Sequence, residues 1–182
     1  MTWENLEFAS KRLGESSGMG KLVVGIGNVL LRDEGIGCHV VRALKRIPLP
    51  DVEMIDGGTC PDMLSPLEDA DKLIIVDAVK GGGTPGQIYR FHLKDITLEQ
   101  KPFLSLHDMG LVDNLIFMQL WHPDKIGIGE AVIVGVEPKE TNWGLELSPE
   151  LQEKVPQIID AILAELSNSK GEGNADFRTK TT

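Results

Sequence analysis

The sequence predicts an α/β fold: a single three-layer domain with a mostly parallel, twisted sheet and helices on both faces. Three observations carry this. Short apolar segments alternate along the chain with helical patterns. The first of them, "KLVVGIG" (21–27), leads through a glycine loop straight into a helix pattern. A later one, "EAVIVGVEP" (130–138), is apolar without interruption, as strands buried in parallel sheets are. At 182 residues the chain has room for one well-buried domain and is short for two.

Taken in order, "KLVVGIG" is a buried strand. "GIGCHVVRALKRI" (35–47) is a helix, with apolar residues at helical spacing and basic residues late, where the helix dipole favours them. "DVEMIDGG" (51–58) and "KLIIVDAV" (72–79) are further strands, with "PDMLSPLEDA" (61–70) a short helix between them. "KGGGTPG" (80–86) is a turn before "QIYRFHL", which alternates as an edge strand does. A helix is predicted over "SLHDMGLVDNLIFMQLW" (105–121), opened by Ser105 and Asp108 in capping-box spacing. The strand at 130–138 and a final helix from about Ser148 to Leu166 complete the domain, expected over 21–166. Residues 1–20 form an N-terminal extension, and the polar tail 167–182 reads as disordered.

Composition excludes several classes of partner. Eighteen Lys and Arg against 28 Asp and Glu give a net charge of −10, which repels nucleic acid and anionic lipid. No apolar run reaches the roughly 20 residues of a membrane span, and the charged N-terminus is unlike a signal peptide. The expectation is a cytoplasmic protein. Cys38 and Cys60 have no CxxC spacing, so neither a disulfide framework nor a thiolate zinc site is indicated.

In a sheet of this type the ligand lies beyond the carboxyl ends of the strands, where strand order reverses. With strand order 2-1-3, the loop after the first strand, bearing Glu34, neighbours the end of the third, bearing Asp77. Asp56 ends the second strand, and His107 begins the 105–121 helix. Each has an ordinary structural role open to it: Asp33 and Glu34 as complements of a helix dipole, Asp77 as a turn cap, His107 as a surface side chain. Together they meet at the one place where this architecture binds ligands. Two carboxylates and one imidazole suit zinc, nickel, iron or manganese, with positions left for water or substrate. His39, His92 and His122 have no acidic cluster near them in sequence and read as structural. Cys38 reads as a packed helix residue, and Cys60 is a weak nucleophile candidate without a partnered histidine.

A nucleotide-binding α/β protein is the alternative, with Asp56 at the ribose position. It fits less well, because Leu30 stands where a third glycine is wanted and Asp33 and Glu34 would meet a pyrophosphate with like charge.

"GIGNVLLRDEGIG" (25–37), "DGGT" (56–59), "IIVDAV" (74–79) and "SLHDMGL" (105–111) form, in this order, a set that resembles the hydrogenase maturation endopeptidases. These trim the C-terminus of the large subunit of nickel-iron hydrogenases. The resemblance covers about Lys21 to Leu166. It implies that Glu34, Asp77 and His107 contact a metal, with Asp56 a further candidate. It also implies that the nickel arrives bound in the large-subunit precursor, the expected partner, and that zinc or cadmium can take its place. A catalytic role for Glu34 or Asp77, activating water as an aspartyl protease does, follows as an expectation. A non-hydrolytic nickel-binding maturation factor would use the same trio without cleavage.

Overall fold

The computed structural model describes residues 20–59, 70–93 and 131–168. Five strands form one sheet: β1 (Lys21–Ile26), β2 (Val52–Gly58), β3 (Lys72–Ala78), β4 (Ile88–His92) and β5 (Val132–Val136). Their order is β2-β1-β3-β5-β4. The β1–β2, β1–β3 and β3–β5 pairs are parallel, and β4 pairs antiparallel with β5 at the edge. The predicted 2-1-3 order and the edge position of "QIYRFHL" are both observed. Strand order reverses between β1 and β3.

The sheet is buried on both faces, and side-chain alternation divides its residues into two cores. Val23, Ile74, Val76, Val132 and Val134 face one way, against helices α1 (Ile36–Leu44) and α2 (Pro149–Ser167) through Ile36, Val40, Leu44, Leu151, Ile158 and Ile162. Leu22, Val24, Leu73, Ile75 and Ile133 form the second core on the opposite face. The helices predicted at 61–70 and 105–121 lie outside the described residues apart from Ala70, as do residues 1–19 and 169–182.

The glycines around the first turn have a packing role. A Cβ on Gly37 would come within 2.1 Å of the Val76 carbonyl oxygen and 2.3 Å of that of Ile26; one on Gly25 would lie 2.2 Å from the Gly37 oxygen. Helix α1 therefore rests backbone to backbone on β1 and β3, which only glycine allows.

Helix α2 is secured at its C-terminal end from the starts of β1 and β3. Its last turn has no basic residue. Instead Lys21 Nζ, at the start of β1, donates to the Leu166 carbonyl at 2.7 Å, and Lys72 Nζ, at the start of β3, donates to the carbonyls of Glu165 and of Asn168, the latter at 3.0 Å. These cations meet the negative end of the helix dipole. The carboxylate of Glu165, buried under the sheet, pairs with Arg90 and lies 3.7 Å from Lys72 Nζ.

Gly37→Ala should lower the unfolding free energy by about 3 kcal/mol, because backbone on both sides of the added methyl would have to move. Gly82→Ala, at φ 79° with nothing within 4 Å, should cost about 1 kcal/mol from backbone strain alone. Urea denaturation of the two variants tests the difference.

Candidate active site at the β1–β3 switch point

Between β1 and α1 the chain forms a single 3-10 turn, Arg32–Gly35, that runs on into the helix. This turn packs against β3. Glu34, in the turn, is half-buried. Asp77, the last residue but one of β3, is 4% exposed, and its Oδ1 accepts the Ala78 N–H at 2.7 Å. Both therefore stand at the switch point, as the sequence predicts. His107 lies outside the described residues, as do Cys60 and His122. Among the described residues, no three His, Cys, Asp or Glu side chains form a metal-holding group.

Asp33, the neighbour of Glu34, is fully buried and its role is structural. Its carboxylate accepts four hydrogen bonds. Lys139 N (3.0 Å), Glu140 N (2.8 Å) and Ser148 Oγ (2.8 Å) donate to Oδ2, and Ser148 N (2.7 Å) donates to Oδ1. Ser148 is the N-cap of α2, but its hydroxyl makes no cap within its own helix. Asp33 engages that N-cap residue instead, taking its N–H and its hydroxyl, and its carboxylate complements the dipole of α2 rather than that of the helix it precedes. Backbone bonds add to the connection: Asp33 N to Glu140 O (3.1 Å), Arg32 N to Gly144 O (2.9 Å) and Gly144 N to Leu30 O (2.9 Å). The turn bearing Glu34 is thus fixed to the segment 139–148. Arg32 adopts φ 48°, the left-handed region unusual for a non-glycine residue, held there by these bonds.

Asp56 has a different environment from Asp77. By alternation it faces α1, where Arg42 Nε donates to its Oδ2 at 2.6 Å. Burial pushes its carboxyl up, but hydrogen bonds from Cys38 and Arg42 and the charges of Arg42 and Lys45 outweigh this and hold it below its ordinary value. Its observed use is to tie the end of β2 to α1. That removes the ribose-binding carboxylate on which the nucleotide alternative relied.

Cys38 is packed beneath the same corner, its Sγ 3.5 Å from the Gly27 oxygen and 3.8 Å from that of Gly25. Burial first, then the hydrogen bond and negative charge of Asp56, push its thiol up to about 12. It is a free, fully buried cysteine with no thiolate character at neutral pH. His39 is half-buried beside it. Burial, then the Arg42 charge, lower its pKa, against a hydrogen bond to the Leu145 backbone.

A family model described as hydrogenase maturation protease (HycI) matches residues 38–165. The hydrogenase 2 maturation protease of Escherichia coli K12 is 34% identical over 154 residues, covering 81% of this chain and 91% of that protein. The chain belongs to the hydrogenase maturation proteases. Among solved structures, the hydrogenase-maturating endopeptidase HybD of E. coli superposes with a TM-score of 0.69 at 29% identity, covering 81% of this chain and 92% of the other. The NiFe hydrogenase maturation protease HybD of Thermococcus kodakarensis gives 0.68 at 25% identity, covering 82% and 100%. Membership makes the protein a hydrolase of peptide bonds on a mostly parallel α/β sheet. No helix among the described residues is long and apolar enough to cross a membrane.

Two outcomes follow from this geometry. A thiol-alkylating reagent at pH 8 should leave Cys38 unmodified in the native protein and modify it once urea unfolds the chain, read by mass spectrometry of the Cys38 peptide. Asp56→Asn should lower stability by about 0.5–1 kcal/mol near neutrality, the pair with Arg42 being partly solvated. Because the folded-state pKa is depressed, the wild type's advantage is present above the ordinary value of 3.8 and lost as the pH falls through the folded value. Denaturation curves of both proteins from pH 7 down to about 3 should therefore converge.

Proposed function

We propose that this protein removes the C-terminal peptide from the nickel-loaded large-subunit precursor of a nickel-iron hydrogenase, in the cytoplasm, and that Glu34, Asp77 and His107 recognise the nickel. The observation that carries the reading is that the turn bearing Glu34 packs on the strand bearing Asp77, at the switch point of a sheet that belongs to a maturation protease. His107 enters on sequence grounds.

The donor set suits a metal that the substrate brings. Two carboxylates and an imidazole are hard to borderline ligands and leave coordination positions for groups from elsewhere, whereas a closed structural site usually has four protein ligands. Soft thiolates would come from the precursor, since the cysteine among the described residues, Cys38, is a buried neutral thiol. Zinc or cadmium would fit the same ligands. For the cleavage step, Glu34 or Asp77 takes a proton from the attacking water and returns it to the leaving amine. The ion's charge would favour the developing oxyanion. Serine and cysteine nucleophiles have no part in this scheme, and none of the described residues forms a Ser–His or Cys–His pair at the switch point.

The test uses large-subunit precursor prepared with and without nickel, incubated with the protein and followed by mass spectrometry for loss of the C-terminal peptide. Only the nickel form should be shortened, and His107→Ala and Asp77→Asn should each abolish the cut and weaken saturable nickel, zinc or cadmium binding. Equal cleavage of both precursors would leave a peptidase that does not read the metal. Metal binding without cleavage of either would favour the non-hydrolytic maturation factor.

A further inference from the structure

We infer that Leu30, Trp143 and Leu145 form the surface on which the precursor docks, with an apolar segment of the precursor near the cleaved bond lying across them. The inference rests on the proposed function and adds to it a recognition element separate from the metal.

Trp143 is 78% exposed, Leu145 66% and Leu30 46%, and they are the large apolar side chains that stand exposed among the described residues. None of them packs into either core. Single exposed apolar residues are ordinary, but these three are brought together by the backbone. Leu31 and Gly144 form an isolated parallel bridge, and the Gly144 N–H donates to the Leu30 carbonyl at 2.9 Å. Leu30 is thereby set beside Trp143 and Leu145, which flank Gly144.

The platform is continuous with the candidate site. Leu30 precedes Glu34 in the loop after β1, and the four hydrogen bonds to Asp33 fix that loop to the segment bearing Trp143. A rigid aromatic side chain on a fixed backbone loses little freedom when it is covered, which is the property of an interface anchor. Size and charge favour the precursor over a second copy of this chain. The three side chains offer on the order of 300 Å², well short of the roughly 800 Å² per partner of a standard stable interface. An area of that size suffices where the shared metal supplies the remaining binding energy. With a net charge of −10 the chain gains nothing from electrostatic association with its own copy.

The experiment compares the full-length protein with Trp143→Ala/Leu145→Ala and with Leu30→Ala, using nickel-loaded and nickel-free precursor. Thermal denaturation of both variants should match the wild type, since the side chains removed are largely solvated. The double variant should raise KM for the loaded precursor at least tenfold while kcat at saturation changes less than twofold. It should weaken binding of the nickel-free precursor, measured by biolayer interferometry, by a similar factor. Leu30→Ala should do the same by a smaller factor. Unchanged KM and unchanged binding in both variants would overturn the inference. So would a wild type that sediments as a dimer, a variant that sediments as a monomer, and equal precursor affinity in the two, an outcome that assigns the patch to self-association. If the wild type cuts no precursor, yet binds it through these residues, the peptidase reading fails while the docking surface stands.

Discussion

The carboxylate of Asp33 joins the two halves of the working end of this molecule. A buried charge is costly unless hydrogen bonds replace its hydration, and here three backbone N–H groups and one hydroxyl do so. Two consequences follow from one side chain. At the N-terminus of α2 the cap residue Ser148, itself fully buried, has both its N–H and its hydroxyl engaged. The turn holding Glu34 cannot shift relative to the segment 139–148 without leaving a charge unpaired in the interior. Deleting the carboxylate would therefore disturb the site and the adjoining apolar platform together, although Asp33 itself has no solvent exposure through which to touch a substrate.

Helix α2 repeats the same device with opposite sign at its other end. Lys21 and Lys72 begin β1 and β3, and their ammonium groups meet the last carbonyls of the helix. The helix is thus held antiparallel to the central strands by an anion at its positive end and cations at its negative end. Between those ends, Leu151, Ile158 and Ile162 close the core over the sheet. The backbone contact of Gly37 with β1 and β3 sets α1 in the same layer. Together these constraints fix where the ends of β1 and β3 stand relative to each other.

The strands, the 2-1-3 order of the first three and both described helices were legible in the sequence, because buried parallel strands read as apolar runs and α1 and α2 carry helical periodicity bounded by glycine and Ser148. The position of Glu34 and Asp77 at the switch point followed from topology alone. The role of Asp33 did not, since its partners Lys139, Glu140 and Ser148 are more than a hundred positions away and two of them contribute only backbone. An Asp beside a Glu at a helix start looks the same whether it complements the nearest dipole or a distant one. Asp56 was ambiguous for a related reason. Arg42 is visible in the helix pattern as a late basic residue, but only the register of β2 on β1, Gly25 opposite Asp56, brings the carboxylate beneath it. The Leu30–Trp143–Leu145 patch left no periodic signal, because it joins a loop to a loop through one bridge.

The two strand-end acids show how the sheet's alternation sorts chemistry. Asp56 faces the helix layer, where Arg42 and the Cys38 thiol engage it, and its charge is spent holding β2 to α1. Asp77 alternates with Leu73 and Ile75, so its side chain belongs to the face opposite α1, while the backbone next to it abuts Gly37. One residue of register separates the two outcomes, as the two-residue period of a strand requires. A strand-end acid on the helix side meets cations that stabilise the fold, whereas one on the other side is positioned by the sheet without being neutralised by α1. Glu34, on a turn against β3, and Asp77, on β3 itself, thus reach the switch point from different layers of the fold.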